Sequence, residues 1–298
     1  MGKDNGFEII TDSSSDLTEE MRKELSVSVV PLSVTIDGKI YKDYPDERDI
    51  SRRDFYSLIR NKKTGKTSAP NVSDFEKEFE KILSAGKSIF YIGFSSALSS
   101  TFSNAKVAAD KLRAIYPENE IILCDSLCAS LGQGALVYYA CKQKEKGYSL
   151  KDVYEFTENE KLKICHFFTV DDLKYLQRGG RIPKVVSIAG TMLNVKPIMH
   201  VDNKGKLVKI YSIRGRNNSI EELANKVKKG LSAVQNKGAD VFIVHGDCLD
   251  DALILKKLIL RSIKPKNIYI NTIGPVIGSH SGPGTLAVFF VGKDRSLL

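Results

Sequence analysis

The amino-acid sequence predicts an α/β protein of two domains: a parallel-sheet domain over residues 1–160, and an α+β domain with a largely antiparallel sheet over residues 161–298. The chain has 298 residues, a usual length for two domains. In the first half a buried strand, a serine-rich loop and a helix follow one another three times, which is typical of a parallel sheet flanked by helices. The second half contains a hairpin and further strands with interspersed helices, which favours antiparallel pairing.

Local signals place the elements of the first half. Asp16 and Glu19 have the spacing of a capping box, which predicts a helix directly after Asp16. Asp37 and Gly38 form a turn signal between two strands. The predicted strands are 7–11, 26–36, 39–41, 88–94 and 120–124, and the predicted helices are 17–25, 55–60, 74–85, a helix ending at 116, and 132–147.

The second half is read from the same kinds of signal. Gly179 and Gly180 end a short helix, and Asp202-Asn-Lys-Gly205 is typical of a hairpin turn. The predicted strands are 164–170, 195–201, 206–212, 240–245, 268–272 and 285–291, and the predicted helices are 171–177, 184–193, 219–234 and 249–263.

Composition excludes several classes of protein. No apolar run approaches the roughly 18 residues of a membrane-spanning helix, and the N-terminus lacks the apolar stretch of a secretory signal. We therefore expect a cytoplasmic protein. The five cysteines are odd in number and lack CxxC spacing, which favours reduced thiols over disulfides or a zinc site.

The net charge of +9 is unevenly distributed. Residues 1–160 contain 22 Lys and Arg against 26 Asp and Glu, whereas residues 161–298 contain 23 against 10. Such an excess of positive charge indicates an anionic partner: nucleic acid, a membrane surface, a phosphorylated ligand or an acidic protein. The alternative interpretation is a solvated, lysine-rich surface without a partner. No nucleic-acid-reading motif accompanies the charge, so we expect no nucleic-acid binding.

Hydroxyl-rich segments follow the predicted strands of the first half. They are Asp12-Ser-Ser-Ser-Asp16, Ser95-Ser-Ala-Leu-Ser-Ser-Thr101, Asp125-Ser-Leu-Cys-Ala-Ser130 and Thr67-Ser68. Each alone is explained by helix capping. Together, at one edge of a parallel sheet, they predict an anion site built from hydroxyls and free N–H groups.

The second half supplies basic and imidazole groups from glycine-rich segments. These are Arg178-Gly-Gly-Arg181, Arg214-Gly-Arg216 and the loop predicted over residues 274–284, which contains His280. Because glycines and prolines constrain that loop, we expect His280 to be functional. His166, His200 and His245 lie on predicted strands and are expected to be packed or surface histidines.

Familiar catalytic motifs are absent from the sequence. Gly93-Phe-Ser-Ser-Ala97 has Ala97 where the G-x-S-x-G nucleophile elbow requires glycine. The sequence also lacks a P-loop, a dinucleotide-binding G-x-G-x-x-G after a strand, an H-E-x-x-H zinc motif and the protein-kinase motifs.

An ordered set of motifs resembles the DegV family, the bacterial fatty-acid-binding proteins that serve as the lipid-carrying subunit of fatty acid kinase. The motifs span the chain and are Thr11-Asp-Ser-Ser-Ser-Asp-Leu17, Thr67-Ser-Ala-Pro70, Ser95-Ser-Ala-Leu-Ser-Ser-Thr101, Leu173-Lys-Tyr-Leu-Gln-Arg-Gly-Gly-Arg-Ile182, Val195-Lys-Pro-Ile198 and Gly278-Ser-His-Ser-Gly-Pro-Gly284. Ala69, Ala97 and Ser100 depart from the family's usual residues, which affects the expected width and head-group contacts of the pocket.

The resemblance implies a site between the two domains for a long-chain fatty acid such as palmitate, stearate or oleate, without a cofactor or metal. The implied ligand-binding residues are Thr67, Ser68, Ser95, Ser96, Lys184, Arg216 and His280, with Lys184 where the family has an arginine. The implied role is that of a non-catalytic carrier in phospholipid metabolism. It takes the lipid from a membrane through transient contact and presents the carboxylate to a separate kinase subunit, and we expect Arg178 and Arg181 to dock that partner.

Two alternatives stay open from the sequence. One is an enzyme of the same fold, for example a hydrolase with Ser95 or Ser96 as nucleophile and His280 as base. The other is a binding module for a different anionic amphiphile.

Overall fold

The computed structural model describes residues 6–183, 194–234 and 238–297. Its strands are β1 Phe7–Asp12, β2 Ser28–Val30, β3 Ser33–Ile36, β4 Lys39–Lys42, β5 Lys66–Ser68, β6 Ser88–Gly93, β7 Ile121–Asp125, β8 Ile164–Thr169, β9 Val195–Val201, β10 Leu207–Arg214, β11 Val241–His245, β12 Ile268–Thr272 and β13 Leu286–Val291. Its α-helices are α1 Glu19–Glu24, α2 Arg52–Arg60, α3 Val72–Leu83, α4 Thr101–Ile115, α5 Leu131–Glu145, α6 Leu150–Glu160, α7 Lys174–Arg178, α8 Arg216–Ala233, α9 Leu249–Ser262 and α10 Pro275–Ser281.

The first half forms a four-stranded sheet in the order β2-β1-β6-β7, in which every pairing is parallel. Helices α3 and α4 pack on one face of this sheet over a core that contains Phe75, Phe79 and Tyr91. Helix α5 packs on the opposite face. The parallel sheet predicted from the strand–loop–helix alternation is confirmed.

The second half forms a six-stranded sheet in the order β10-β9-β8-β13-β11-β12. All its pairings are antiparallel except β11 with β12, which helix α9 connects as a crossover. Helices α8 and α9 cover one face of the sheet. This mixed but largely antiparallel sheet confirms the fold class expected for the second half.

Helix α5 lies between the two large sheets and contacts both of them. Residues 131–141 of this helix are buried except for the half-buried Tyr139, as expected for a helix packed on two sides, whereas its last turn is polar. Its Ala135, Leu136 and Val137 join one continuous core with residues of β1 and β6 on one side and of β8, β11 and β13 on the other. The layers therefore run from α3 and α4 through the parallel sheet, α5 and the mixed sheet to α8 and α9.

A small antiparallel sheet, β4-β3-β5, corrects two sequence-based expectations. Residues 26–36 were predicted as one strand, but the chain breaks at Pro31, and Val30 and Ser33 pair in different sheets. Proline lacks the N–H that a ladder requires. Thr67 and Ser68, expected in a loop, form strand β5 and pair with Val34 and Ser33.

The first helix begins later than predicted. Asp16 does not cap it, because the backbone of Asp16 adopts the left-handed conformation (φ 50°) that ends a short 3₁₀ turn, Ser13–Ser15. Thr18 is the N-cap of α1 instead. Helix α6, which was not predicted from the sequence, carries its own capping box formed by Ser149 and Asp152.

Two further expectations concern the second half. Residues 274–284 were expected to be a loop, but they contain helix α10, whose first residue is Pro275. Proline suits this position because it has the φ of a helix and the missing N–H would be unpaired there. The helix predicted over residues 184–193 lies outside the described residues. Among the described helices, none combines the length and apolar character needed to cross a bilayer.

Candidate functional site

A mostly apolar cavity of about 240 Å³ lies between the two large sheets. The first half contributes Leu32, Phe94 and Leu98 to its wall, and the second half contributes Phe168, Val201, Val244, Ile273 and Phe289. Polar side chains gather in part of the lining, where Thr67, Arg181 and His280 are found. The cavity is thus mostly apolar, and its polar lining includes Thr67, His280 and the positively charged Arg181.

Thr67 and His280 form a hydrogen bond across the cavity wall, with 2.7 Å between Thr67 Oγ1 and His280 Nε2. Thr67 is placed by β5, and His280 is placed by the last turn of α10. The bond therefore joins the small sheet of the first half to a helix of the second. Both residues were predicted from the sequence, and the structure brings them together.

The His280 imidazole is held in its neutral form. Burial, assisted by the positive charge of Arg181, lowers its pKa to about 4. Its Nδ1 atom is buried and has no hydrogen-bond partner among the described residues. A Cβ at Gly179 would overlap Nδ1, so the glycine leaves the space that the imidazole occupies.

Arg181 contributes a positive charge to the cavity wall. Its Nε donates to the carbonyl of Leu98 at 3.1 Å, and its Nη1 donates to the carbonyl of Gly179. Within the described part of the chain, no carboxylate forms an ion pair with this guanidinium. Burial lowers the pKa of Arg181, but arginine stays charged at neutral pH. Arg181 was expected at a docking surface, and the structure places it in the cavity lining.

Arg178, the other residue of the expected docking pair, is exposed. Its guanidinium lies 4.9 Å from the ring centroid of Tyr175, a cation–π contact. It does not line the cavity. The two arginines of Arg178-Gly-Gly-Arg181 therefore occupy different environments.

The predicted serines lie close to the site without lining it. Ser95 is buried, and its Oγ donates to the carbonyl of Gly205, in the β9–β10 turn, at 2.9 Å. Ser96 and Ser68 are exposed. Ser99 and Ser100 of the same hydroxyl-rich segment line the cavity instead. The predicted segment therefore borders the cavity, but through serines other than the two that the sequence singled out.

Arg216 lies in an ion-pair network outside the cavity lining. Its Nη2 is 2.7 Å from Asp251 Oδ2, and its Nη1 is 3.7 Å from Asp171 Oδ1. Two acids therefore already compensate this guanidinium, unlike that of Arg181. Lys184, the remaining predicted ligand-binding residue, lies outside the described residues.

His166, which was expected to be a packed or surface histidine, also lines the cavity. Its Nδ1 is 2.8 Å from the carbonyl of Ile164, and its Nε2 accepts from the N–H of Ala129 at 3.3 Å. Burial holds the pKa of this imidazole well below its usual value, so it is neutral. Both ring nitrogens are engaged, which fits a packed wall residue.

The geometry can bind an anion, but the described residues do not form a hydrogen-bonded serine–histidine pair at the cavity. The ring nitrogen of His280 that has a partner contacts Thr67, and the Ser95 hydroxyl is directed to a backbone carbonyl. Among the described residues, no group of three His, Cys, Asp or Glu side chains is arranged to hold a metal ion. The arrangement suits an amphiphile whose chain is apolar and whose head is anionic.

Comparison with known proteins gives consistent matches over nearly the whole chain. A family model described as "Uncharacterised protein, DegV family" matches residues 6–293. A DegV domain-containing protein of Clostridium perfringens is 40% identical over 289 residues, covering 97% of this chain and 98% of that protein.

Solved structures are similar over the same length. The structure of a DegV family protein from Thermus thermophilus, described by its fatty acid binding, has a TM-score of 0.86 and 28% identity, covering 96% of this chain and 99% of that one. A stearic-acid-binding protein from Eubacterium ventriosum has a TM-score of 0.85 and 25% identity, covering 98% and 100%.

Proposed function

Because the chain belongs to the DegV family, we propose that it binds a long-chain fatty acid between its two halves and carries it to a separate fatty acid kinase subunit. The observation that supports this most directly is the apolar cavity whose lining includes the Thr67–His280 pair and Arg181. The acyl chain occupies the apolar part of the cavity, and the carboxylate lies against these three residues.

The energetics of such a ligand fit the two parts of the site. Burial of about 14 methylenes at about 0.8 kcal/mol each provides on the order of 11 kcal/mol before the cost of ordering the ligand. A carboxylate leaving water must be compensated by hydrogen bonds and a positive charge. Arg181 supplies the charge, and Thr67 and His280 supply hydrogen-bonding atoms.

We assign the other predicted residues to supporting roles. Ser95 joins the hydroxyl-rich segment to the β9–β10 turn and so holds the two halves together beside the cavity. Arg216 fixes the start of α8 to α9 through Asp251. In this proposal Arg181, and not Arg216, contacts the carboxylate directly. Lys184 keeps the ligand-binding role that the family resemblance implies.

The carrier role continues the proposal. The lipid is taken from a membrane by transient contact, and its carboxylate is phosphorylated by the separate subunit, so the protein performs no turnover of its own. Of the two arginines expected to dock that subunit, Arg178 is the exposed one. Arg178→Glu should therefore lower kinase-dependent phosphorylation without lowering palmitate affinity, and equal loss of both contradicts a docking role.

Extraction of the purified protein with organic solvent, followed by mass spectrometry, tests lipid binding directly. We expect a stoichiometric long-chain fatty acid. Ala287→Phe places a large side chain in the cavity wall and should abolish retention, whereas Ala114→Phe on the exposed surface of α4 is the matched control. A lipid-free protein that takes up neither palmitate nor oleate refutes the proposal, and hydrolysis of an acyl ester by the wild type would favour the enzyme alternative.

A further inference from the structure

Two buried aspartates of the first half hold the start of helix α10. The N–H of Gly274 donates to Asp16 Oδ1 at 2.8 Å, and the N–H of Val276 donates to Asp43 Oδ2 at 3.3 Å. Both aspartates are almost fully buried. The free N–H groups of a helix start are the natural partners of carboxylates, and an ionised acceptor makes these bonds stronger.

Gly274 lies directly between the two carboxyl groups. A Cβ at this position would be 3.0 Å from Asp43 Oδ2 and 3.1 Å from Asp16 Oδ1. Absence of a side chain therefore lets both carboxyl groups approach the same stretch of backbone. His280 is six residues further on in the same short helix, so a displacement of the helix start is carried to the imidazole.

Neighbouring side chains of the first half bind the residues that precede the helix. Arg52 Nε donates to the carbonyl of Thr272 at 3.1 Å, and the hydroxyl of Tyr56 donates to the carbonyl of Ile273 at 3.2 Å. Asn271 Nδ2 donates in the other direction, to the carbonyl of Asp16 at 3.0 Å. Hydrogen bonds thus join residues 271, 272, 273, 274 and 276 to the first half.

Asp16 also contacts a second residue beside the cavity. Its second carboxyl oxygen accepts a hydrogen bond from Ser130, the residue before α5, which lines the cavity. One carboxyl group therefore connects the starts of α5 and α10. Asp16 therefore has a direct contact with the cavity lining through Ser130, in addition to its contact with the start of α10.

Burial brings the pKa values of the two aspartates close to neutral pH. Burial raises the pKa of Asp43 to about 7 and that of Asp16 to about 6, although Arg52 favours the ionised form of both. The charges of Asp16 and Glu47 further raise the pKa of Asp43. The other titratable groups that face this region are Tyr56, whose hydroxyl binds the Ile273 carbonyl, and His245, whose Nε2 is 3.4 Å from Thr272 Oγ1.

We propose that Asp16 and Asp43 are positioning residues of the head-group site: when ionised they fix the start of α10 and hold His280 against Thr67, and proton uptake by the pair releases the bound carboxylate faster. This inference rests on the proposed function and adds proton-controlled release to it. Neither aspartate lines the cavity, so both act through α10 and, for Asp16, through Ser130.

The test is the release of radiolabelled palmitate from the protein to an excess of defatted albumin between pH 5.5 and 8.5. We expect wild-type release to accelerate as the pH falls through about 7 to 6. Asp43→Asn and Asp16→Asn should release palmitate roughly tenfold faster than the wild type at pH 8, because a charge-assisted hydrogen bond is weakened. Their release should also depend less on pH.

A control variant and a stability measurement separate positioning from damage to the fold. Asp240→Asn removes another buried aspartate, which binds Asn267 and does not line the cavity, and should release palmitate as the wild type does. Protonation of palmitate itself affects every variant alike. Thermal unfolding at pH 8 should show that Asp43→Asn is at least as stable as the wild type.

The possible failures are distinguishable. Wild-type rates and wild-type pH dependence in both Asn variants overturn the inference, as does faster release that only follows a lower unfolding temperature. A wild-type protein that holds no palmitate at any pH overturns the proposed function and the inference with it. If the wild type retains palmitate and both Asn variants release it at the wild-type rate, the inference is wrong but the proposed function stands.

Discussion

His280 Nε2 lies 2.7 Å from Thr67 Oγ1, so a helix of the second half and a short strand of the first meet through one hydrogen bond in the cavity lining. Each half of the chain therefore contributes one member of this pair to the cavity lining. A ligand that contacts this pair therefore contacts both halves at once. The position explains how binding can be linked to the packing of α10 against the small sheet and α2.

The Thr67–His280 pair should contribute to ligand affinity as a unit. We expect His280→Ala and Thr67→Val each to weaken palmitate binding about fivefold, the effect of one neutral hydrogen bond. The double variant should lose less than the two single losses combined, because the partners act together. Palmitate titration measures all three, with His200→Ala as a control outside the cavity lining. Independent effects of the two substitutions would contradict the pairing.

Arg181 should contribute more to affinity than either member of that pair. Removal of a charge-assisted contact corresponds to about 1.5–3 kcal/mol, so Arg181→Ala should weaken palmitate binding more than tenfold. Arg178→Ala alters the neighbouring exposed arginine and should leave the affinity unchanged. The same titration distinguishes the two. Equal losses would indicate a general electrostatic attraction instead of a defined contact.

Gly179 should be required for the orientation of His280. A Cβ at this position overlaps His280 Nδ1, so Gly179→Ala should move the imidazole away from Thr67 and weaken palmitate binding. Gly180→Ala is the control in the same turn, because a Cβ at Gly180 meets no atom within 4 Å. Since Gly180 has a φ of 70°, this variant measures the effect of backbone strain without a steric clash. Comparable affinities in the two variants would remove the steric argument.

The sequence predicts the framework of this fold well because its strands are strongly apolar. The mostly apolar segments 88–94 and 164–170 were predicted as buried strands. The structure has strands β6 and β8 at these positions, and both are buried. Strand β5 and helix α10 were missed, since Lys66-Thr-Ser68 is short and polar and Gly278 weakens a helical pattern. Gly278 is explained only by tertiary contact, because a Cβ there would be 2.7 Å from the Phe55 ring.

Only some of the predicted site residues lie at the cavity, for a related physical reason. Thr67 and His280 occur in recognisable motifs, but the sequence cannot show which arginine is already neutralised. Arg216 is paired with Asp251, which is 35 residues away in the chain, whereas Arg181 has no carboxylate partner in the described ranges. Our proposal therefore gives Arg181 the role expected of Arg216, on the basis of contacts that only the folded chain creates.

The stability of the protein should depend on pH through Asp43. Its folded-state pKa of about 7 lies above the ordinary value of 3.8, chiefly because of burial. Its contribution to stability is therefore fully present below about pH 4 and is lost as the pH rises through about 7. Asp43→Asn has no such proton to lose, and its amide oxygen can still accept the Val276 N–H bond. At pH 8 the variant should be more stable than the wild type, by on the order of 1–4 kcal/mol, and the difference should shrink toward pH 4.

Thermal or denaturant unfolding of both proteins between pH 4 and pH 8 measures this difference in stability, with Asp240→Asn as the buried control. A difference that is constant with pH would show that Asp43 stays ionised throughout, and the carboxyl pair would then hold α10 without responding to protons.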